Sequence, residues 1–303
     1  MPELPDVELY IHALKPRILN QPLERFRIGN PFIVRTIEPR PEDLEGRAVA
    51  DIRRMGKRLV FAFPNDLFLL LHLMIAGRLR WREKGAPIPA KVGLAAFDFP
   101  AGSVILTEAG SRRQASIHIL RGHEALQAMN PNGLEVLDAT AAEFAARLRS
   151  ENHTVKRALT DPHMFSGIGN AYSDEILHAA RMSPLKLTAT LTDAETEALF
   201  EATRDVLIDW QHRLRDETGD DFPEKVTAFR PGMAVHGRYG QPCPVCGSPI
   251  QRIVYARNEA NYCSRCQTGG KLLSDRALSR LLKDDWPRTL DELEAHKSRR
   301  RQA

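Results

Sequence analysis

The 303-residue chain contains no apolar run long enough to cross a membrane. Its richest stretch, Leu67 to Gly77, is interrupted by His72 and falls far short of the roughly 20 residues that a spanning helix needs. A secretory pattern is also missing, because Met1-Pro2-Glu3-Leu4-Pro5-Asp6 is acidic and lacks a basic-then-apolar order. A cytoplasmic protein is therefore expected. Cysteine is scarce: there are four, all between Cys243 and Cys266, which argues against a disulfide framework serving the whole chain. No internal repeat of solenoid period is present. Nor is there a large excess of either charge, since 43 basic against 39 acidic residues leave +4. What remains is a globular composition, 43% hydrophobic and 27% charged, which excludes wholesale disorder or a fibrous class. The length exceeds one ordinary hydrophobic core and implies two or three domains.

The small net charge hides an asymmetry. Residues 235–283 hold eight Lys/Arg against two acids, a net of +6, so the rest of the chain sums to −2. A basic block on a near-neutral body suits a polyanion-binding module; a solvated charged face is the alternative.

Residues 5–19 read as a helix, with Val7, Ile11, Leu14 and Ile18 at near-helical spacing and Pro5 in the first turn. Strand-like runs follow at 59–63, 67–73, 77–81, 92–99 and 103–107, separated by turn residues, which predicts a sandwich or barrel reaching to about residue 125. After Met129-Asn130-Pro131-Asn132-Gly133 the composition shifts to helix formers, with candidates at 140–149, 155–159, 170–181 and 192–215. The last opens with Thr192-Asp193-Ala194-Glu195, a capping box. Residues 216–229 read as a linker or mobile loop. The basic end, Lys297 to Arg301, reads as a disordered tail or a weak nucleic-acid contact.

Cys243-Pro244-Val245-Cys246 and Cys263-Ser264-Arg265-Cys266 form two Cys-x-x-Cys pairs with sixteen residues between them. Each pair can bring two thiolates to one ion, and together they complete a tetrahedral shell with Zn–S of about 2.3 Å. Ile253-Val254-Tyr255 and Tyr262 can form a hairpin that sets the two knuckles side by side. Four cysteines leave no open coordination position, so one Zn2+ is expected to be structural, and any catalysis must come from elsewhere; redox disulfides or free thiols are the alternative. A second anion site is suggested by Ser166-Gly167-Ile168-Gly169-Asn170, which precedes a helix whose first amides suit a phosphate. An ordinary helix–helix turn is the alternative.

Three separated pieces, Met1 to Glu8, Gly167 to Leu177 and the four-cysteine segment ending at Gln267, occur in the order found in the formamidopyrimidine-DNA glycosylase / endonuclease VIII family of base-excision-repair enzymes. The chain resembles that family from its first residue to about Lys283. The resemblance implies an α+β multidomain fold: an N-terminal β-sandwich with a leading helix (1–128), a helix–two-turn–helix domain (129–230) and a zinc finger (235–283), followed by a tail (284–303). It also implies a function, a DNA glycosylase with AP lyase activity. Once Met1 is removed, Pro2 carries a secondary amine, and an α-amino group titrates near 7.7–8.0, far below lysine at about 10.4. The neutral amine can attack the sugar C1′, displace the damaged base and leave an iminium that permits elimination of the 3′ phosphate. By the same resemblance Glu3 handles protons at the sugar and leaving group, and Lys57 reaches the phosphates and donates a proton in the elimination. Asp6 and Glu8 either share this work or are helix-start charges. Lys156 and Asn170 hold phosphates, and Arg112, Arg113, Arg257 and Asn258 are further candidate DNA contacts. The expected partner is double-stranded DNA with a damaged base or an abasic site, bound by a monomer that flips the nucleotide out; no membrane is involved.

The sequence departs from the family pattern at three places. Asn258 stands where the family has an arginine, five residues before the third cysteine, with Arg257 one place earlier. A one-residue shift in a strand points the side chain to the opposite face. Arg112-Arg113-Gln114-Ala115 lacks the family's aromatic wedge, and Ile75 replaces its wedge methionine, with Met74 adjacent. Gly219 to Phe229 does not resemble the Gly-rich lesion-capping loop of the oxidised-purine enzymes. A zinc-dependent DNA-damage binder that has lost glycosylase activity is the second reading. A ribosomal or transcriptional zinc-ribbon RNA binder would explain the basic block but not the N-terminus.

Overall fold

The fold is that of a computed structural model, which describes residues 1–110, 112–255, 258–274, 287–293 and 295, without the side chains of Tyr255 and Asn258. The chain divides into two compact units. The first comprises residues 1–133 and 207–228, and the second residues 134–206 and 229–303.

The first unit opens with α1 (Leu4–Ile18) and continues through eight strands: β1 (Arg25–Ile28), β2 (Asp51–Met55), β3 (Arg58–Phe63), β4 (Leu67–His72), β5 (Gly77–Arg82), β6 (Gly93–Phe99), β7 (Gly102–Glu108) and β8 (Ser116–Arg121). These form two four-stranded antiparallel sheets, ordered β1-β6-β7-β5 and β2-β3-β4-β8. The expected sandwich is therefore present. Alternate residues of a strand face opposite sides. Leu59, Phe61, Leu69, Leu71, Ile117 and Ile119 accordingly join Leu79, Phe97, Val104 and Leu106 in the main core, which α1 closes with Tyr10, Leu14 and Ile18. Val60, Ala62, Phe68 and Leu70 lie on the other face and pack with Leu126 of α2 (His123–Gln127). Burial on both faces explains why β3 and β4 read as continuous apolar runs instead of alternating ones.

Three strands carried little sequence signal. β2, Asp51-Ile52-Arg53-Arg54-Met55, lies at a sheet edge and has the charge that edge strands tolerate. β1 buries only Phe26 of its four residues, while Arg27 forks onto Asp98 at 2.7 and 2.8 Å. β8 is the far edge of the second sheet and buries only Ile117 and Ile119.

Residues 219–228 correct the mobile-loop expectation. They have no regular structure, but Phe222 and Val226 belong to the sandwich core. Glu224 binds Arg80 at 2.8 Å and Arg82 at 2.6 Å. Arg17 lies over both Phe222 and Trp81 and donates to the Asp220 carbonyl at 2.6 Å. Apolar anchoring plus a forked ion pair docks the segment on its own unit.

The second unit contains α3 (Ala141–Arg149), α4 (Val155–Thr160), α5 (Asn170–Ala179), the first half of α6 (Asp193–Thr218), the hairpin β9 (Gln251–Tyr255) and β10 (Asn258–Tyr262), and α7 (Ser264–Thr268). The Thr192–Glu195 capping box is formed, with Glu195 N–H donating to Thr192 Oγ1 at 3.2 Å and Thr192 N–H to Glu195 Oε2 at 3.0 Å. Phe144 packs with tilted rings against Phe165 and Phe200, with centroids 4.8 and 5.3 Å apart. α5 packs on β10, so the helical part and the cysteine segment share one body.

Gly77, the first residue of β5, is constrained by close approach: a Cβ there would lie 2.2 Å from the Leu73 carbonyl oxygen, so backbone must move. Gly77→Ala should destabilise the protein by about 1–3 kcal/mol. Urea unfolding checks this; a midpoint equal to the parent's would contradict the geometry.

Candidate active site and nucleic-acid interface

Strand register sets the site. Met55 pairs with Arg58, so β2 and β3 are joined by the two-residue turn Gly56–Lys57, with Gly56 at φ +62°. Glycine meets the left-handed requirement of such a tight hairpin. Arg58 pairs with His72 and His72 with Ser116, while Gly77 pairs with Glu108. The Gly56–Lys57 turn, the 73–76 turn and the 109–115 loop therefore all emerge at one end of the sandwich.

The start of α1 lies at this end. Pro2, Glu3 and Asp6 are buried. The Met1 α-amino group is held below its ordinary pKa, chiefly by burial; Glu3 opposes this, Arg78 adds to it, and Asp6 and Lys57 contribute in opposite senses. Lys57 is half-buried, and burial lowers its ammonium pKa against the opposing charge of Glu3. The amine, Glu3 and Lys57 thus share one electrostatic environment. Lowering both amines makes their neutral forms more accessible near neutral pH, as nucleophilic and proton-transfer chemistry requires.

Asp6 and Glu8 have architectural roles here. Asp6 Oδ2 accepts the Glu3 N–H at 2.9 Å within a capping box that opens α1. Glu8 accepts from Arg54 Nε at 3.0 Å, and Arg54 Nη1 donates to the Gly56 carbonyl at 3.0 Å. Arg54 consequently ties the Lys57 turn to α1.

His72 belongs to the site but entered the sequence reading only as a break in an apolar run. It ends β4 between Arg58 and Ser116, half-buried, with its pKa pulled down to about 4 by burial and by the positive charge of Arg58, Lys57 and His118. It is neutral at pH 7, able to donate or accept one hydrogen bond in cationic surroundings. A polar ring closing an apolar strand opposite an arginine was the available signal.

In the 109–115 loop the buried Glu108 carboxylate accepts from Gln114 N–H at 2.9 Å and Ala115 N–H at 3.0 Å, which fixes the loop's base. Arg112, Arg113 and Gln114 are exposed. Arg113 donates to the Lys91 carbonyl at 2.5 Å. Across the same end Ile75 is 63% exposed, and its neighbour Met74 takes φ +52°. An exposed branched apolar side chain on a tight turn can enter a base-pair gap.

The second unit holds the other candidates. The four cysteine sulfurs lie within 4.8 Å of one another, with Cys243–Cys266 at 3.9 Å and Cys246–Cys263 at 3.4 Å. Cys243 and Cys246 flank a turn completed by Gly247 at φ +73°, while Cys263 caps α7, whose first turn carries Cys266. β9 and β10 bring the two turns together as expected. Four converging thiols suit one tetrahedral structural zinc ion. His178 Nε2 lies 3.4 Å from Cys243 Sγ, an orienting contact behind that sulfur.

Asn170 is half-exposed at the first turn of α5, after Gly167 and Gly169. Lys156 corrects the expectation of a direct phosphate contact. Its ammonium is buried and donates to the Asn170 carbonyl at 3.2 Å, Ser173 Oγ at 3.1 Å and Asp174 Oδ1 at 2.5 Å. An ammonium has three donors, and all three are engaged. Asn258 opens β10 opposite Tyr255. Arg257 and the tail from Lys297 to Arg301 lie outside the described residues.

Comparison with known proteins covers most of the chain. The formamidopyrimidine-DNA glycosylase N-terminal domain matches residues 1–117, the formamidopyrimidine-DNA glycosylase H2TH domain residues 130–211, and a zinc finger found in FPG and IleRS residues 240–269. A formamidopyrimidine-DNA glycosylase of Symbiobacterium thermophilum is 33% identical over 88% of this chain and 89% of its own length. An uncharacterized formamidopyrimidine-DNA glycosylase-like protein of Mycobacterium tuberculosis is 41% identical over 50% of this chain and 94% of its own length. The crystal structure of the Lactococcus lactis formamidopyrimidine-DNA glycosylase bound to DNA containing an AP site superposes with a TM-score of 0.76 at 26% identity, covering 88% of this chain and 99% of that one. With all three domain types in order and a full-length relative at this identity, the chain belongs to the formamidopyrimidine-DNA glycosylase family.

Proposed function

We propose that the protein is a base-excision-repair DNA glycosylase with AP lyase activity, acting as a cytoplasmic monomer on duplex DNA that carries a damaged base or an abasic site. The observation that carries this reading is the half-buried Met1 amine, next to the buried Pro2, sharing its environment with Glu3 and Lys57 at the end of a sandwich of this family.

After removal of Met1 the Pro2 nitrogen is the nucleophile. Its lone pair forms a bond to C1′ of the flipped nucleotide as the C1′–base bond breaks, and the departing base takes a proton supplied through Glu3. The C1′–O4′ bond then opens, O4′ taking the proton that the Pro2 nitrogen releases, and leaves an iminium that draws electrons from C2′; loss of a C2′ proton then expels the 3′ phosphate in β-elimination. Lys57 contacts the phosphate and moves a proton, and His72, neutral beside Arg58, adds a hydrogen bond at the same strand end. Asn170 holds a phosphate from the second unit. Arg112 or Ile75 fills the gap left by the flipped base. The four cysteines hold the zinc ion that keeps the basic hairpin in shape, with no part in the chemistry.

Borohydride reduction on abasic-site DNA should trap a covalent adduct mapping to Pro2, lost in Pro2→Gly. Absence of an adduct from correctly processed protein would favour the binding-only reading. Glu3 raises the pKa of the Met1 amine, and its carboxylate acts in the same sense on a Pro2 amine directly beside it, so Glu3→Gln should shift the acid limb of the trapping profile to lower pH. A limb that stays or moves upward would contradict the proposed coupling. With Asn258 in place of an arginine, gel analysis should show nicked products dominated by β-elimination, whereas clean β,δ product would assign the second elimination to another group. Zinc chelation should weaken DNA binding as the hairpin loses its shape, and equal binding by metal-free protein would remove the hairpin from the interface.

A further inference from the structure

Asp174 is fully buried in α5, and its carboxylate joins three other buried side chains. Oδ1 accepts from the Lys156 ammonium of α4 at 2.5 Å. Oδ2 lies 2.8 Å from His236 Nδ1 and accepts from Asn261 Nδ2, on β10, at 3.3 Å. Lys156, His236 and Asn261 are 9%, 5% and 1% exposed. One carboxylate therefore links α4, α5, the turn at His236 that leads to the first cysteine knuckle and the second strand of the zinc hairpin.

Packing alone does not account for this arrangement. Burying a carboxylate with an ammonium carries a large desolvation cost, and well-packed apolar residues often do as well or better for stability. Asn261 sharpens the point. It donates to Asp174 and to Glu259, the latter at 3.1 Å, yet its buried Oδ1 has no hydrogen-bond partner among the described residues. A leucine at that position would avoid the orphaned oxygen. What the amide supplies is direction, because a hydrogen bond fixes the angle at which β10 meets α5 and apolar contact does not.

We propose that Asp174 is a positioning residue for DNA binding. Through Lys156 it holds the Asn170 end of α5, and through Asn261 and His236 it holds the β9–β10 hairpin. The phosphate contacts of helix and hairpin then act as one preorganised grip. The inference rests on the DNA-binding reading above and deepens it. It also makes Lys156 a support for Asn170, since its ammonium is consumed internally and neutralises no phosphate.

The test measures binding to abasic-site duplex across a salt series, together with borohydride trapping under single turnover. In Asp174→Asn the half-saturating DNA concentration should rise about tenfold while the saturated trapping rate falls less than about threefold. Asn261→Leu, which removes the bond and the orphaned oxygen together, should keep zinc and at least the parent's melting temperature and still bind DNA several-fold more weakly. Lys156→Met should leave the slope of log affinity against log salt unchanged, whereas a lysine on a phosphate would reduce it by about 0.9. Parent-like binding by both Asp174→Asn and Asn261→Leu, or a reduced slope for Lys156→Met, overturns the proposal while leaving the glycosylase reading intact. A parent protein that neither binds nor traps overturns both.

Discussion

The cross-strand row Arg58–His72–Ser116 is the constraint on which the first unit's chemistry depends. It fixes which end of the sandwich receives the Lys57 turn, the 73–76 turn and the 109–115 loop. Side chains alternate strictly along a strand, so a slip of one residue would turn His72 toward the core and Leu71 outward. The apolar faces forbid that slip: Leu59, Leu71 and Ile117 must meet the opposing sheet while Val60 and Leu70 meet α2. Core packing therefore sets the site's geometry, although no core residue takes part in the chemistry.

Burial supplies the electrostatics. Covering the start of α1 pushes the amine pKa down, and the same effect acts on Lys57 and His72 at that end. Glu3 acts in the opposite direction on both amines. Desolvation and a nearby carboxylate thus compete for the protonation state of the Met1 amine, a balance that a bare terminal amine in water does not have. Arg54 and Asp6 connect this balance to the fold, one holding the Lys57 turn to α1 and the other capping the helix beside Glu3.

The second unit achieves order by a different route. Its hairpin is short and its apolar cluster small, consisting of Val235, Ile250 and two cysteines with Ala234 and Cys266 against them. Such a segment cannot bury enough surface to hold its own shape, which is the usual reason for a structural metal. The zinc shell fixes the two knuckles, and polar contacts from α5 fix the rest. Glu175 accepts from the backbone N–H groups of Ala234, Val235 and His236, while Asp174 takes the neighbouring side chains. Adjacent carboxylates of one helix thus divide the work between backbone and side chains.

Local chemistry made much of the protein legible from its sequence. The four-cysteine shell, the hairpin between its knuckles, the leading helix, the central strands and the Thr192 capping box all depend on residues close together in the chain or on a simple periodicity. The family followed from three motifs in order, because their spacing records the domain order. Other features needed the tertiary structure. The edge strands β1, β2 and β8 carry weak patterns because only one or two of their residues enter the core. Phe222 and Glu224 looked like linker residues because their partners, Tyr10, Arg80 and Arg82, lie more than a hundred positions away. Lys156 looked available for a phosphate, and His72 looked incidental, for the same reason. The charge and exposure of a side chain are decided by neighbours that only folding brings within reach.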